Sequence, residues 1–465
     1  MDYQGANGIQ DTNSMICVHD QKLKGDFKEE DTAFCYDWIQ KWKKIKSESN
    51  KIKDVLHGEL PASLSTSNIK IYVLKYGIRQ LSLNVTEDCN FECRYCVYSS
   101  GRYEYARSHS TKRMNFSIAK KAIDYYFSLL NDGKRYNPNR TPAVSFFGGE
   151  PLLNFSLIKE CVEYISDEYG DYEVTYGLTT NGSLLEDKIS WLIQNNFDIN
   201  ISLDGPEEQH DANRVYRNGK GTFKDVMENI AKLNDAKYKK VSIISTYDWR
   251  CDLFKCHEFF NRSDIPRLAF VGEVLKTPGC KYYGQFTEVD RMAFAKQLEK
   301  AKAYYLETIG DQEQQGKKSS VFDKLFCDNP IQMVHGCRPA FSGSSIMPFT
   351  SACIPGDKIF VDVNGDFHIC EKIIATRPIG SVDEGLNFEK IRKFISDYLH
   401  HMDKCASCKL RMACPFCYIH FMTDNGFLCS SDVCKKVEAL QSSIFSMAFS
   451  IGEIDQKYID MSSLI

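Results

Sequence analysis

Two hydrophobic periods alternate between about residue 78 and residue 275. Runs rich in apolar, β-branched and aromatic residues read as strands: RQLSLNVT, AVSFFGG, YEVTYGLTTNG, FDINISLDG, KKVSIISTY and PRLAFVGEV. Between them SIAKKAIDYYFSLLN, SLIKECVEYISDEY, LEDKISWLIQNN and TFKDVMENIAKLND carry the helical period. The spacing of about 30 residues is that of a βαβ unit, and right-handed crossovers lay such strands in one parallel sheet. Six units predict an α/β fold, barrel-like or open, whose functional groups gather beyond the C-terminal ends of the strands. Ahead of it, SMICVHD and IKIYVLKYG read as strands and DTAFCYDWIQKWKKIKSES as a helix, a small α+β segment. Further on, KIFVDV and DFHIC predict a hairpin turning at Asn364-Gly365.

Size and charge narrow the classes. The chain has 465 residues, roughly three times a domain of about 150, so two or three domains are expected. A net charge of -4 with 26% charged residues gives no basic bias toward nucleic acid. No apolar run reaches membrane-spanning length, and MDYQGANGIQDTNSM lacks the layout of a secretory signal. A cytoplasmic protein with no membrane and no nucleic-acid partner is expected.

That setting gives the 19 cysteines a meaning, because a reducing compartment favours metal or redox chemistry over disulfides. Seven are scattered (Cys17, Cys35, Cys161, Cys251, Cys256, Cys280, Cys327) and read as small buried hydrophobes. Three stand in CNFECRYC, at Cys89, Cys93 and Cys96, directly after the first strand. Three thiolates do not close a tetrahedral zinc site, but they suit a 4Fe-4S cluster with one iron left open. A zinc knuckle completed by a distant ligand is the alternative. The remaining nine lie between Cys337 and Cys434.

With Tyr95 before its last cysteine, this CxxxCxxC resembles the radical S-adenosylmethionine superfamily. The resemblance implies a partial (β/α)6 barrel whose open iron is chelated by S-adenosylmethionine. One electron from the cluster then cleaves the cofactor to a 5'-deoxyadenosyl radical, which takes a hydrogen atom from the substrate. By the same resemblance FFGGEP, with Gly148, Gly149 and Glu150, is the motif that holds the methionine amino group. The glycines allow close approach of backbone and the carboxylate accepts from an ammonium group. TTNG and SLDG end the next two strands, and Asn181, Ser202 and Asp204 there are candidates for ribose or substrate contacts or, equally, for caps and turns. Arg214 in HDANR is a candidate partner of a carboxylate.

The C-terminal cysteines resemble the SPASM extension of these enzymes. The pattern begins at Cys353, reaches Cys370 four residues beyond Gly365, continues through Cys405, Cys408, Cys414 and Cys417, and ends at Cys434. It departs from the family in having two residues, not three, between Cys414 and Cys417. The resemblance implies two auxiliary 4Fe-4S clusters, so three in all. Cys405, Cys408, Cys414 and Cys434 would hold the second, with Cys429 a rival to Cys434. Cys353, Cys370 and Cys417 would hold the first, with Cys337 or a substrate thiolate as fourth ligand. A zinc ribbon is the alternative. The expected layout is an N-terminal segment over 1–77, the barrel over 78–320, the SPASM domain over 321–440 and a helix and tail over 441–465.

Within the superfamily, CNFECRYCVYSS, RMNFSIAKKAIDYY and ACIPGDKIFVDVNGDFHICEK resemble maturases of the sactipeptide and ranthipeptide type. The resemblance implies an enzyme that forms a thioether between a cysteine sulfur and a carbon of a ribosomally made precursor peptide. Residues 1–77 would grip its leader as an added strand, and a donor such as flavodoxin or ferredoxin would supply the electron. Formylglycine formation, as in anaerobic sulfatase maturation, and C-C or C-O cross-linking share the same clusters. A zinc-binding interaction protein is the non-enzymatic alternative. Asp204, His368 and Glu371 are the candidates for acid-base work, since the thiol must lose its proton.

Overall fold

The computed structural model describes residues 65–98, 108–276, 280–309, 320–328, 355–373, 375–402 and 431–454, with Cys353, Lys404, Cys405, Cys408, Cys414, 417–423 and 426–429 between them. These residues belong to one compact unit, Leu60–Ile465. Cys17, Cys35, Cys337 and the part up to residue 64 of the segment expected to bind a leader lie outside them, as do SMICVHD and DTAFCYDWIQKWKKIKSES.

Six parallel strands lie side by side in chain order: β1 (Gln80–Thr86), β2 (Ala143–Gly148), β3 (Thr175–Thr180), β4 (Asp198–Ser202), β5 (Val241–Tyr247) and β6 (Arg267–Glu273). Helices alternate with them, as the two periods require: α2 (Phe116–Gly133), α3 (Phe155–Glu168), α4 (Ile189–Gln194), α5 (Glu207–Asp211), α6 (Phe223–Asp235) and α7 (Leu253–Phe260). A longer helix, α8 (Glu288–Thr308), follows, opened by a capping box between Thr287 and Asp290.

Side-chain alternation separates the two faces of this sheet. Leu81, Leu83, Val85, Val144, Phe146, Leu178, Ile199, Ile201 and Ile243 are buried on one face. The other face carries mostly small polar residues, Ser82, Asn84, Ser145, Gly177, Thr179, Asn200, Ser202 and Ser242, with Phe147 opposite Asn84 and Ile244 opposite Ser202. A barrel filled for stability alone has bulky branched residues there. Small polar side chains, half-buried on β2 to β5, suit a lumen that receives a ligand.

The expected hairpin forms as β7 (Lys358–Val361) and β8 (Asp366–His368), turning at Gly365 with φ +92°. It joins the main sheet, with β7 parallel to β1, and β9 (Gly380–Ser381) and β10 (Gly385–Leu386) extend the antiparallel edge. Helix α9 (Phe388–His401), a short pair β11 (Met422–Thr423) and β12 (Gly426–Phe427), and helix α10 (Ser431–Ile454) complete the described chain. One sheet therefore spans the expected barrel and SPASM segments, and α10 runs through residue 440.

The segment IKIYVLKYG departs from its expected strand. It is helix α1 (Thr66–Tyr76), capped by the Ser65 side chain accepting from Asn68 N at 3.2 Å. Ile69, Tyr72 and Val73 are buried at helical spacing, and α1 packs against α9. Its β-branched composition pointed to a strand, and an apolar face with a neighbour to bury it overrode that preference.

Candidate active site at the C-terminal ends of the parallel strands

CNFECRYC leaves the C-terminal end of β1 and is clamped from two sides. Glu92 N donates to Val215 O and Arg94 N to Asn213 O, both at 2.8 Å, so residues 213–215 hold the loop like a short strand partner. Cys96 N donates to Cys93 O at 3.1 Å in a tight turn between the last two cysteines. On the other side Gly149 N donates to Thr86 O and Glu150 N to Asp88 O. A Cβ on Gly149 would stand 2.3 Å from Asp88 O, and one on Gly148 2.5 Å from Thr86 O. The close approach that Gly148 and Gly149 permit is thus to the cysteine loop itself.

Glu150 is 0% exposed, and its carboxylate accepts from Asn181 N at 2.7 Å, Thr180 Oγ1 at 2.8 Å and Leu152 N at 3.1 Å. Burial raises its pKa to about 7 against these stabilising donors. Asn181 Nδ2 donates to Asn90 Oδ1 at 2.8 Å, and Asn90 Nδ2 to Ser183 Oγ at 2.9 Å. The ends of β2 and β3 are in this way tied to each other and to the cysteine loop. Ser202 is half-buried on the polar face of β4.

The deepest anchor is Asp204, 1% exposed beyond β4. Its carboxylate accepts from Thr246 N and from Arg214 Nε, each at 2.9 Å, and from the Tyr95 hydroxyl in a short hydrogen bond. Arg214 also lies over the Tyr95 ring, 5.4 Å from its centroid. The carboxylate expected for Arg214 is therefore supplied by the chain. Burial pushes the Cys93 thiol up to about 12, and the Arg214 charge works against that rise. Cys89 is pushed up further by burial and by the nearby Glu150 charge.

Cys96 goes the other way. Burial raises it, but His109, whose Nε2 is 3.5 Å from the sulfur, together with the Tyr98 backbone and the Arg214 charge, outweighs burial and holds the thiol below its ordinary value. His109 Nδ1 faces Glu87 O at 3.0 Å, which orients the ring. His109 escapes sequence reading because thirteen residues from a cysteine make no ligand spacing.

The three acid-base candidates separate. His368 is 0% exposed, with Nε2 3.0 Å from Asp362 Oδ2, and braces the β7–β8 hairpin instead of reaching the rim. Asp204 is committed to the loop. Glu371 keeps 21% of its side chain exposed and pairs with Lys358 at 2.8 Å. Burial raises its pKa, but Lys358 holds it below the ordinary carboxylate value. Its carbonyl accepts from the Tyr98 hydroxyl at 3.1 Å, so the residue after Cys370 touches the stretch just past Cys96.

The C-terminal thiols sort into two neighbourhoods. Cys370 and Cys417 feel each other's charge, whereas Cys405 is surrounded by Cys408, Cys414, Cys429 and Cys434. Cys353 is exposed. Cys161, Cys251, Cys256 and Cys327 are buried as small hydrophobes, and Cys280 is half-buried. Among the described residues, no group of three or more His, Cys, Asp or Glu side chains is drawn close enough to hold a single metal ion. Thiolates on a 4Fe-4S cubane each bind a different iron and stand farther apart. Three cysteines converging on one loop, with a cation and an imidazole supporting their thiolates, fit such a cluster.

Residues 83–247, from within β1 to the end of β5, match the Radical SAM superfamily. This stretch is a radical SAM domain. The domain type implies a 4Fe-4S cluster and S-adenosylmethionine. Among curated relatives, the chain is 27% identical over 198 residues to the radical SAM cyclopropyl synthase TigE of Paramaledivibacter caminithermalis, covering 40% of each chain. It is 28% identical over 195 residues to a cysteine-type anaerobic sulfatase-maturating enzyme of Clostridium novyi, covering 40% of this chain and 48% of that one. The match thus spans less than half the length of either relative. The fold resembles that of native anSMEcpe with bound AdoMet and Kp18Cys peptide, with TM-score 0.59 and 20% identity, over 81% of this chain and 99% of that one. No helix among the described residues is long and apolar enough to cross a membrane.

Proposed function

We propose that the chain is a radical S-adenosylmethionine enzyme of the SPASM type that closes a thioether cross-link in a precursor peptide. The observation that carries this reading is the contact between Tyr98 and Glu371, which sets the loop of Cys89, Cys93 and Cys96 beside the segment bearing Cys370. Chemistry that removes a hydrogen atom and then a second electron needs both groups on one face.

When bound, the cluster and S-adenosylmethionine supply hydrogen-atom abstraction. Cys89, Cys93 and Cys96 hold that cluster, and Asp204, Arg214 and Tyr95 fix their loop. Gly148, Gly149, Asn181 and Ser202 would form the cofactor-facing rim, braced from beneath by the buried Glu150. Cys353, Cys370, Cys417 and, as candidate fourth ligand, Cys337 hold the first auxiliary cluster, and Cys405, Cys408, Cys414 and Cys434 the second. Glu371, the one acid-base candidate still partly accessible, receives the proton of the substrate thiol. In sum a thioether costs the peptide two hydrogen atoms; the bound cofactors would supply that two-electron oxidation, and Glu371 would take the thiol proton. The segment ahead of α1 would grip the leader, and an external one-electron donor of the flavodoxin or ferredoxin kind would supply the electron to the cluster held by Cys89, Cys93 and Cys96.

The similarity to sulfatase-maturating enzymes favours one second reading, oxidation of a peptide cysteine to formylglycine. The test is anaerobic reconstitution followed by turnover with cysteine-containing peptides, read by mass spectrometry and by release of 5'-deoxyadenosine. A thioether retains the sulfur and loses two hydrogens, whereas formylglycine made from cysteine loses the sulfur. Bound zinc without iron would overturn both readings.

A further inference from the structure

Strand β6 breaks phase at one residue. Leu268 pairs with Ile243 and Phe270 with the next residue, Ile244, so Ala269 is an extra residue, a β-bulge, in the ladder to β5. Without it, simple alternation would put Phe270 on the face of Leu268, which is buried at 2% exposure. The bulge turns Phe270 over. Its partner Ile244 stands on the half-buried lumen face of β5, between Ser242 and Thr246, and Phe270 is 51% exposed there. Bulges re-aim side chains in this way and are over-represented beside active sites.

Gly272, two residues on, gives the ring its room. A Cβ at that position would stand 2.6 Å from Phe270 Cζ and 2.8 Å from Cε1. The bulge and the glycine thus serve one phenyl ring, the first by turning it to the lumen and the second by letting it lie flat along the strand. Fold stability does not account for this, because an exposed phenyl forfeits much of the stabilisation that burial on the other face would bring.

The register supplies the occupant. Ser202 pairs with Ile244 and Ile244 with Phe270, so the three form one row across the lumen, two strand spacings or about 10 Å long. Ser202 belongs to the rim assigned to the cofactor, which leaves the β6 end of the row to the second reactant. Phe147 apart, β2 to β4 offer Ser145, Thr179, Asn200 and Ser202, whereas Ile244 and Phe270 make the β5–β6 end apolar. We infer that Phe270 is a specificity-determining residue that seats an apolar side chain flanking the reacting residue of the peptide substrate. The inference rests on the reading that the substrate is a peptide.

The test uses the full chain, reconstituted without oxygen, as wild type, Phe270→Ala, Phe270→Leu, Gly272→Ala and the double variant Phe270→Ala with Gly272→Ala. The probes are fluorescein-labelled cysteine-containing peptides in which the residues on both sides of the cysteine are Leu, Phe, Ser or Asp. Their Kd is read by anisotropy and their kcat and KM by mass spectrometry, and S-adenosylmethionine affinity is read by calorimetry. The wild type should prefer the Leu and Phe peptides. Phe270→Ala should cut that preference by about tenfold or more, through Kd and KM, with S-adenosylmethionine affinity unchanged, and Phe270→Leu should recover most of it. Gly272→Ala, which displaces the ring, should lower the preference on its own and have no further effect in the double variant. An unchanged preference in Phe270→Ala, an equal loss for all four peptides, or weakened S-adenosylmethionine affinity in place of lost preference would overturn the inference. If the wild type binds none of the peptides, the peptide reading itself fails, and the assignment of Phe270 fails with it.

Discussion

Replacing Asp204 by Asn removes the charge that organises the cysteine loop while leaving its shape in place. The amide oxygen can still accept from Thr246 N, so that hydrogen bond survives. The other position becomes an NH2 facing Arg214 Nε, donor against donor, and the Tyr95 hydroxyl loses its carboxylate acceptor. Both side chains of the ion pair are nearly inaccessible, at 10% and 1% exposure. Breaking such a buried pair from one side costs about 3–5 kcal/mol, because the remaining charge is left uncompensated. Replacing both partners with apolar residues, as in Asp204→Leu with Arg214→Met, removes the stranded charge and should cost about 2 kcal/mol or less. In the cycle of Asp204→Leu, Arg214→Met and the double variant, the double should then cost clearly less than the sum of the two singles. The assay is urea unfolding of cluster-free protein followed by circular dichroism, with iron retention after reconstitution as a second readout. A loss under about 1 kcal/mol for Asp204→Asn, or a double variant as unstable as the sum of the singles, would refute the argument.

Gly149→Ala forces a methyl group against Asp88 O and Cys89 Cβ; an overpacking cost of about 1–3 kcal/mol and reduced iron binding are expected, measured by thermal unfolding and iron assay. Cys89→Ala, Cys93→Ala and Cys96→Ala should each abolish 5'-deoxyadenosine release, whereas Cys353→Ala or Cys408→Ala should spare uncoupled release and stop product, both followed by chromatography. Asp124 accepts hydrogen bonds from Lys120, Tyr164 and Tyr169, and burial, which would raise its pKa, is outweighed so that it lies below the ordinary carboxylate value. A depressed carboxylate stabilises the fold above its unfolded pKa, and that stability is lost as pH falls through the folded value. Asp124→Asn should therefore cost about 0.5–1 kcal/mol at neutral pH, allowing for solvent screening, with the gap to wild type closing below the ordinary carboxylate range in pH-dependent unfolding.

Local order was legible wherever a local signal was strong. The six strands and the helices between them followed from alternating periods, and the Asn364-Gly365 turn from its dipeptide. The spacing of Cys89, Cys93 and Cys96 pointed to the chemistry, and their position after the first strand to the C-terminal end of the sheet, where the loop lies. The sequence also carried the polar phase of the strands, in Ser82, Ser145, Thr179, Asn200 and Ser242, although its meaning needed the sheet.

Relations between distant segments belong to the tertiary structure. Asp204, Arg214 and Tyr95 come from three separate stretches, and nothing in their spacing announces that they meet. The same holds for His109 beside Cys96 and for Lys358 beside Glu371. That β7 lies parallel to β1, carrying the Cys370 segment to the rim of the radical SAM domain, is a consequence of long-range pairing. Helix α1 gives the reverse lesson, since its β-branched residues favoured a strand until a buried face decided otherwise. Composition and period act over a few residues, so they determine elements and motifs; burial and charge pairing act between chain segments, so which side chains converge on the site was decided only when the sheet closed its neighbours together.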